Sequence, residues 1–292
     1  MEAQCVPCVL NRIVYECSLA KVSKKRSAEI LKACAAVVGR EFGYGKATAE
    51  VSTKVHRLAY KMIGKDPYAG VKKLSNEIAL ELMPKVEKIV ANSKDPLKSA
   101  VLASIIGNSM DFGIIGSKYT GPEHLRHEFD TMFKEGLGVD DVEKMKKYMK
   151  PEAKIVLATD NCGEIVFDKL LAQEIKKSGA YLTVIVRGGV ILTDATRQDA
   201  LALGFDKIAD RILDTNHKGG IAAVGFSFNE IKPEVKKALA DADLIVSKGM
   251  GNYEAFENSK YKPIIFLMRT KCGVVAESIN LPKNINVAKL IE

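Results

Sequence analysis

KIVLATDNCGEIVFDKLLAQEIKKSGAYLTVIVRGG, residues 154–189, is the stretch that decides the fold class. It begins and ends on short, nearly unbroken Val/Ile/Leu runs, 154–160 and 181–187, joined by an amphipathic segment with a charged end. Apolar runs that do not alternate suit strands covered on both faces, as in a parallel sheet. Three more follow: KIADRILD (207–214), DLIVSKG (243–249) and PIIFLMR (263–269), separated by helix-like segments such as PEVKKALADAD (233–243). Strand–helix–strand order of this kind predicts an α/β fold with a Rossmann-like, doubly wound and mainly parallel sheet.

Upstream the texture is helical. Val51, Val55, Leu58, Ala59 and Met62 fall on one face of a helix over 48–63, with Thr48 as its N-cap and Gly64 as its stop. Asp66-Pro67 and Asp95-Pro96 read as helix starts, and Leu74, Ile78, Leu82 and Val86 form a stripe bent at Pro84. The expected organisation is an N-terminal helical domain over 1–115, a charged connector over 116–150 and an α/β domain over 151–292.

Composition sets outer bounds. The 292 residues are 47% hydrophobic and 27% charged, which supports a large packed core. No run reaches the roughly 18 apolar residues of a membrane helix, and the opening MEAQCVPCVLNR lacks the apolar segment of a signal peptide. A cytoplasmic protein with no membrane partner is expected. The net charge is +8, but the lysines are interleaved with acids, as in VEKMKKYMKPEAK (142–154), which suits solvated helix faces. A nucleic-acid-binding protein would show a basic face with interleaved aromatics; KVSKKR (21–26) is the nearest candidate and reads as a helix start.

In open parallel sheets ligands sit beyond the C-terminal ends of the strands. All five runs here exit into polar, charged or Gly-rich loops: Asp160-Asn161-Cys162-Gly163; Arg187-Gly188-Gly189 and then Thr193-Asp194; Asp214 through Gly220; Lys248-Gly249-Met250-Gly251-Asn252-Tyr253-Glu254; and Arg269-Thr270-Lys271-Cys272. Asp160, Asn161 and Asp194 offer hard oxygen donors suited to Mg²⁺ or Mn²⁺. Lys218, Lys248, Arg269 and Lys271 offer cations, and Gly219-Gly220 and Gly249-x-Gly251 allow backbone N–H groups close to an anion. Metal, cations and amides together suit phosphoryl transfer. Each piece also has a local reading: Asp160 and Asp194 could cap the helices that follow them, and the glycines could simply turn the chain. A nucleotide-binding oxidoreductase on the same fold would carry G-x-G-x-x-G after the first strand, where this chain has DNCGEI.

The blocks TDNCGEIVFD (159–168), TDATRQDA (193–200), SKGMGNYEA (247–255) and RTKC (269–272) resemble the signature blocks of the damage-control phosphatases. CVPC (5–8), DPY (66–68) and IGNSMDFG (106–113) resemble the branch with an N-terminal CxxC pair. The resemblance implies a helical portion packed on a Rossmann-like domain and a divalent metal (Mn²⁺, Ni²⁺, Co²⁺ or Mg²⁺) held by Asp160, Asn161 and Asp194. It implies phosphate contact by Lys271, and substrate contacts by Lys248, Gly251, Asn252, Glu254 and Arg269, with Asn108 and Asp111 closing over the site. It also implies a small phosphorylated metabolite, such as a sugar phosphate or a damaged nucleotide, as the partner hydrolysed.

Four of the six cysteines fall in the first 34 residues. Cys5 and Cys8 could share a metal, form a redox pair, or be buried and inert. Cys162 and Cys272 adjoin the expected site and could serve as thiolate nucleophiles. Of the four histidines, only His217 lies at an expected strand exit.

Overall fold

A computed structural model describes residues 1–110, 121–215 and 220–292; the expectations placed on Asp111, His217, Lys218 and Gly219 lie outside the described residues. Seven strands among them form one sheet: β1 (Val139–Asp140), β2 (Lys154–Ala158), β3 (Tyr181–Val186), β4 (Arg211–Asp214), β5 (Leu244–Lys248), β6 (Ile264–Arg269) and β7 (Asn286–Ile291). The sheet order is β1-β7-β6-β5-β2-β3-β4. Pairing is parallel throughout except between β6 and β7. The doubly wound, mainly parallel sheet expected from the apolar runs is therefore what the chain forms. The chain winds outward from β2 through β3 to β4, then returns to start β5 on the other side of β2. The crevice between the ends of β2 and β5 is the topological switch point, where ligands enter such sheets.

Both faces are covered, which is why the runs do not alternate. Ile155 and Leu157 of β2 join one cluster, with Leu182 and Val184 of β3. Val156 and Ala158 join the other, with Ile185. The first face is packed by α4 (Ala69–Ala91), α5 (Pro96–Gly107), α6 (His124–Glu135), α7 (Val142–Lys146) and α8 (Glu164–Lys177). The second is packed by α10 (Pro233–Ala240), α11 (Gly249–Phe256) and α12 (Gly273–Ser278), while α9 (Arg197–Ala202) bridges β3 and β4. α5, PLKSAVLASIIG, is apolar on nearly every side and sits deep in the core. Gly107 at its end lets it cross α8 closely: an added Cβ would stand 2.9 Å from Glu164 Cα. α1 (Cys5–Leu19), α2 (Lys24–Glu41) and α3 (Thr48–Ile63) have a core of their own built on Ile13, Ile30, Val51 and Val55. The core thus changes between α3 and α4, and the line expected at residue 115 runs through a continuous cluster.

Several local expectations are corrected. Thr48 is the first helical residue and Ala47 its N-cap, because the Thr48 hydroxyl faces Cys5 Sγ at 3.9 Å instead of capping. Gly64 does stop the helix, at φ +82°. Asp66 accepts from the Tyr68 amide at 2.9 Å, which delays α4 to Ala69. Asp95 does cap α5, accepting from the Lys98 amide, with Pro96 at the first helical position. In KIADRILD the strand begins only at Arg211, because Asp210 accepts from Lys176 at 2.6 Å and from the Leu182 amide at 2.7 Å and so clasps the start of β3. Over its described residues, 121–150, the connector holds the helices α6 and α7, as expected of it, and the short strand β1. β7, from the polar-flanked NINVAKLI, was not expected as a strand. Among the described residues no helix is long and apolar enough to cross a membrane.

Candidate active site

The loop after β2 and the loop after β3 are stitched together at the switch point. Asn161 and Asp194 form an antiparallel bridge, the Ala195 amide donates to Asp160 O at 2.7 Å, and the Cys162 amide donates to Thr193 O at 2.8 Å. This backbone pairing brings Asp160, Asn161 and Asp194 together across 34 residues of sequence. Neither acid caps a helix through its side chain: Thr196 caps α9 in a capping box with Asp199, and α8 has Gly163 as its N-cap, with no side-chain cap.

Arg187, at the exit of β3, lies between the two carboxylates. Its Nε donates to Asp194 Oδ2, its Nη2 stands 3.8 Å from Asp160 Oδ1 and donates to Asn252 Oδ1 at 2.6 Å, and its guanidinium stacks 5.3 Å from the Phe226 ring. Asp160 Oδ2 accepts from Asn161 Nδ2 at 2.6 Å and from Asn108 Nδ2 at 3.1 Å. Asn161 Oδ1 accepts from the Thr193 hydroxyl at 2.6 Å. Gly249 closes against this group at φ +73°, and a Cβ there would fall 1.8 Å from Asp160 Oδ2. Only glycine fits that approach.

A second network lies beneath. Glu164 and Asp168, four residues apart, share one face of α8. Both meet the Lys248 ammonium, Asp168 at 2.7 Å, and all three side chains are fully buried. Ser104 of α5 donates to Asp168 at 2.6 Å. Glu164 Oε2 also accepts from Asn108 Nδ2 at 2.8 Å and Asn161 Nδ2 at 3.1 Å, linking the two networks. Burial pushes the Asp168 carboxyl up to about 6 despite Lys248, and the two carboxylates raise Lys248 against the opposing effect of its own burial.

The cavity above has a volume of about 480 Å³. Asp160, Asn161, Thr193, Asp194, Gly251, Glu254 and Lys271 line it from the strand ends; Cys5, Cys8 and Arg12 of α1 and Ser52 and His56 of α3 line it from the helices. The structure turns three expected substrate residues elsewhere. Lys248 points inward to its two carboxylates. Asn252 ties α11 to the end of β2 by donating to Thr159 O at 3.0 Å. Arg269 donates to Glu135 at 3.0 Å and to Asn286 at 2.8 Å, clamping α6 and β7. Asn108 braces Asp160, and Lys271 donates to Asn108 O at 2.6 Å. Burial raises the Glu254 carboxyl to about 7, with Glu257 adding to it.

Asp160, Asn161 and Asp194 are the residues that could hold a hard divalent cation. Two carboxylates and the Asn161 amide meet at the cavity, and the buried Asn108 Oδ1 beside them has no hydrogen-bond partner. Among the described residues no three His, Cys, Asp or Glu side chains group as a metal site. Cys162 does not fit a nucleophile: it is buried, its thiol faces Asp194 O at 3.9 Å, and burial raises it well above the usual thiol range. Arg187, Glu164, Asp168 and His56 were missed from sequence. Arg187 had a strand-exit signal; the acids stood out only as charges four apart in the apolar EIVFDKLL.

The chain was compared with known proteins. A family model for the damage-control phosphatase ARMT1-like domain matches residues 1–287. A damage-control phosphatase from Archaeoglobus fulgidus is 40% identical over 289 residues, 99% of this chain and 98% of its own. A second, from Pyrococcus horikoshii, is 29% identical over 287 residues, 97% and 95% of the two chains. The crystal structure of a DUF89 family protein from Pyrococcus horikoshii superposes with a TM-score of 0.87 at 28% identity, covering 100% of this chain and 99% of that one.

Proposed function

The chain belongs to the damage-control phosphatase ARMT1-like family, and we propose that it is a metal-dependent phosphatase that hydrolyses small phosphate monoesters, sugar phosphates or damaged nucleotides and related metabolites. The observation that carries this reading is the meeting of Asp160, Asn161 and Asp194 at one edge of a 480 Å³ cavity that Lys271 also lines. That volume lies in the range of small-molecule sites.

Asp160, Asn161 and Asp194 would hold the cation, which supplies Lewis-acid polarisation of a phosphoryl oxygen and a more acidic bound water. The protein's own groups do the rest. Arg187 fixes both carboxylates and balances their charge, so the donors are arranged before substrate arrives. Lys271, oriented by Asn108 O, offsets charge on the phosphoryl oxygens. Gly251 leaves room for the substrate beside the first turn of α11. Glu254 faces the substrate from the same side and is half neutral near pH 7.

The test is phosphate release from a panel of sugar phosphates and nucleotides, with Mn²⁺, Ni²⁺, Co²⁺ or Mg²⁺ added after chelation. Activity should vanish with chelator and return with a divalent ion. Release that is indifferent to chelation would remove the metal from this reading.

A further inference from the structure

A buried carboxylate–imidazole pair sits in the helical wall of the cavity. Glu16 of α1 is 0% exposed and His56 of α3 is 2% exposed, and Glu16 Oε1 stands 2.7 Å from His56 Nδ1. Ile13, Cys17, Cys34, Val55 and Ala59 form the core of these helices, and the buried Tyr60 lies within electrostatic reach of Glu16. A carboxylate held out of water is costly unless paired, and an apolar contact would join two helices as well or better. Fastening α1 to α3 is therefore a weak reason for this pair. A second observation gives it a stronger one. His56 lines the same cavity as Asp160, Asn161 and Asp194. Nδ1 is the ring nitrogen beside Glu16, in a close contact that falls short of hydrogen-bond geometry, and Nε2 is the ring's other nitrogen. A carboxylate packed this close to Nδ1 restricts the orientation of the imidazole ring.

We propose that His56, oriented by Glu16, is the catalytic proton donor to the leaving oxygen of the phosphate ester. The inference rests on the phosphatase reading above. The bond from water oxygen to phosphorus forms as the ester O–P bond breaks. The leaving oxygen keeps that bond's electron pair and takes the proton of His56 Nε2, departing as an alcohol. The attacking water releases one proton to solvent, and the imidazole regains one from solvent. Lys271 and Arg12, also on the cavity wall, offset phosphate charge but leave the departing alkoxide unprotonated. The division of labour is then geometric: the sheet rim holds the phosphoryl group, and the helical unit serves the group that leaves.

The test compares two esters on the full-length protein with its divalent ion: glycerol phosphate, whose alkoxide must be protonated, and p-nitrophenyl phosphate, whose phenolate departs without a proton. His56→Gln should lower kcat on the alkyl ester on the order of 100-fold and change the nitrophenyl ester only a few-fold. Glu16→Gln should show the same selectivity at smaller size, and its ratio decides the matter if His56→Gln melts below the assay temperature. On the wild type, kcat should vary little along a series of aryl and alkyl phosphates. Equal losses on both esters, no loss, or a steep wild-type fall with leaving-group basicity overturns the assignment of His56 while leaving the phosphatase intact. A wild type inactive on both esters overturns the phosphatase reading and this inference with it.

Discussion

The rim of the sheet and the helical wall face one cavity but hold their polar groups differently. On the rim, Asp160, Asn161, Asp194, Arg187, Asn108, Glu164, Lys248 and Asp168 are all interlinked, most of them through two or more partners. On the wall, polar contacts to the cavity come from separate positions on α1 and α3, His56 among them, with Glu16 behind it. Dense networks in a low dielectric are rigid when satisfied and fragile when one member is removed. The wall is instead a scaffold of apolar packing docked on the sheet: Arg57 donates to Ile221 O at 3.1 Å and forks onto Glu230, and the Thr53 hydroxyl accepts from the Val224 amide at 3.0 Å. The contrast predicts that rim substitutions are severe and non-additive, whereas wall substitutions act singly.

The sharpest way to break that contrast is at the carboxylates. Asp160→Ala and Asp194→Ala should each lower kcat/KM roughly 1,000-fold, from several kcal/mol of lost charge stabilisation, and the double variant should lose little more than either. Steady-state kinetics with a thermal melt as the folding control decides this; additive losses would mean that the acids work independently. Next comes Lys248→Met, which leaves Glu164 and Asp168 buried and unpaired. Urea denaturation should show a loss of about 3–5 kcal/mol, and a loss below 1 kcal/mol would place solvent in that network. Gly249→Ala should cost about 1–3 kcal/mol through its positive φ and the clash with Asp160, and calorimetry would detect it together with weaker metal binding.

A smaller effect tests Glu254. Its carboxyl, raised to about 7, is mostly neutral below that pH and mostly anionic above it. An anion beside phosphate repels it, so KM should rise a few-fold as pH passes 7. Glu254→Gln should flatten that rise, as KM measured from pH 6 to 8 would reveal. The smallest effect belongs to the wall thiols. All six cysteines are free, and burial raises Cys5 above the usual thiol range. Cys5→Ser/Cys8→Ser should change activity in reducing buffer by less than about two-fold, because neither thiol touches the rim network. If the two form a redox pair, a disulfide-forming oxidant should lower wild-type activity and spare the variant; equal sensitivity of both proteins would leave them as inert wall residues.

How much of this was legible beforehand differs by element. β2, β3, β5 and β6 were readable because strands covered on both faces leave unbroken apolar runs. β7 was not, since NINVAKLI is flanked by polar residues and is placed by its antiparallel pairing with β6. Asp160, Asn161, Asp194 and Lys271 were nameable from strand exits together with the family resemblance. Lys248 stood in the same kind of loop and was expected at the substrate, yet it is the last residue of β5 and faces α8. His56 sat in an ordinary amphipathic helix and gave no local sign.

The sequence by itself determined the fold class and four of the loops that reach the cavity, those after β2, β3, β5 and β6. Those follow from hydrophobic periodicity and from the rule that parallel strands open their site at their C-terminal ends. Tertiary structure alone decided which charges face the cavity and which face each other. A side chain's partner is set by residues distant in sequence: Arg187 against Asp160, Glu164 against Lys248, and Glu16 against His56. Local pattern carries no record of those distances.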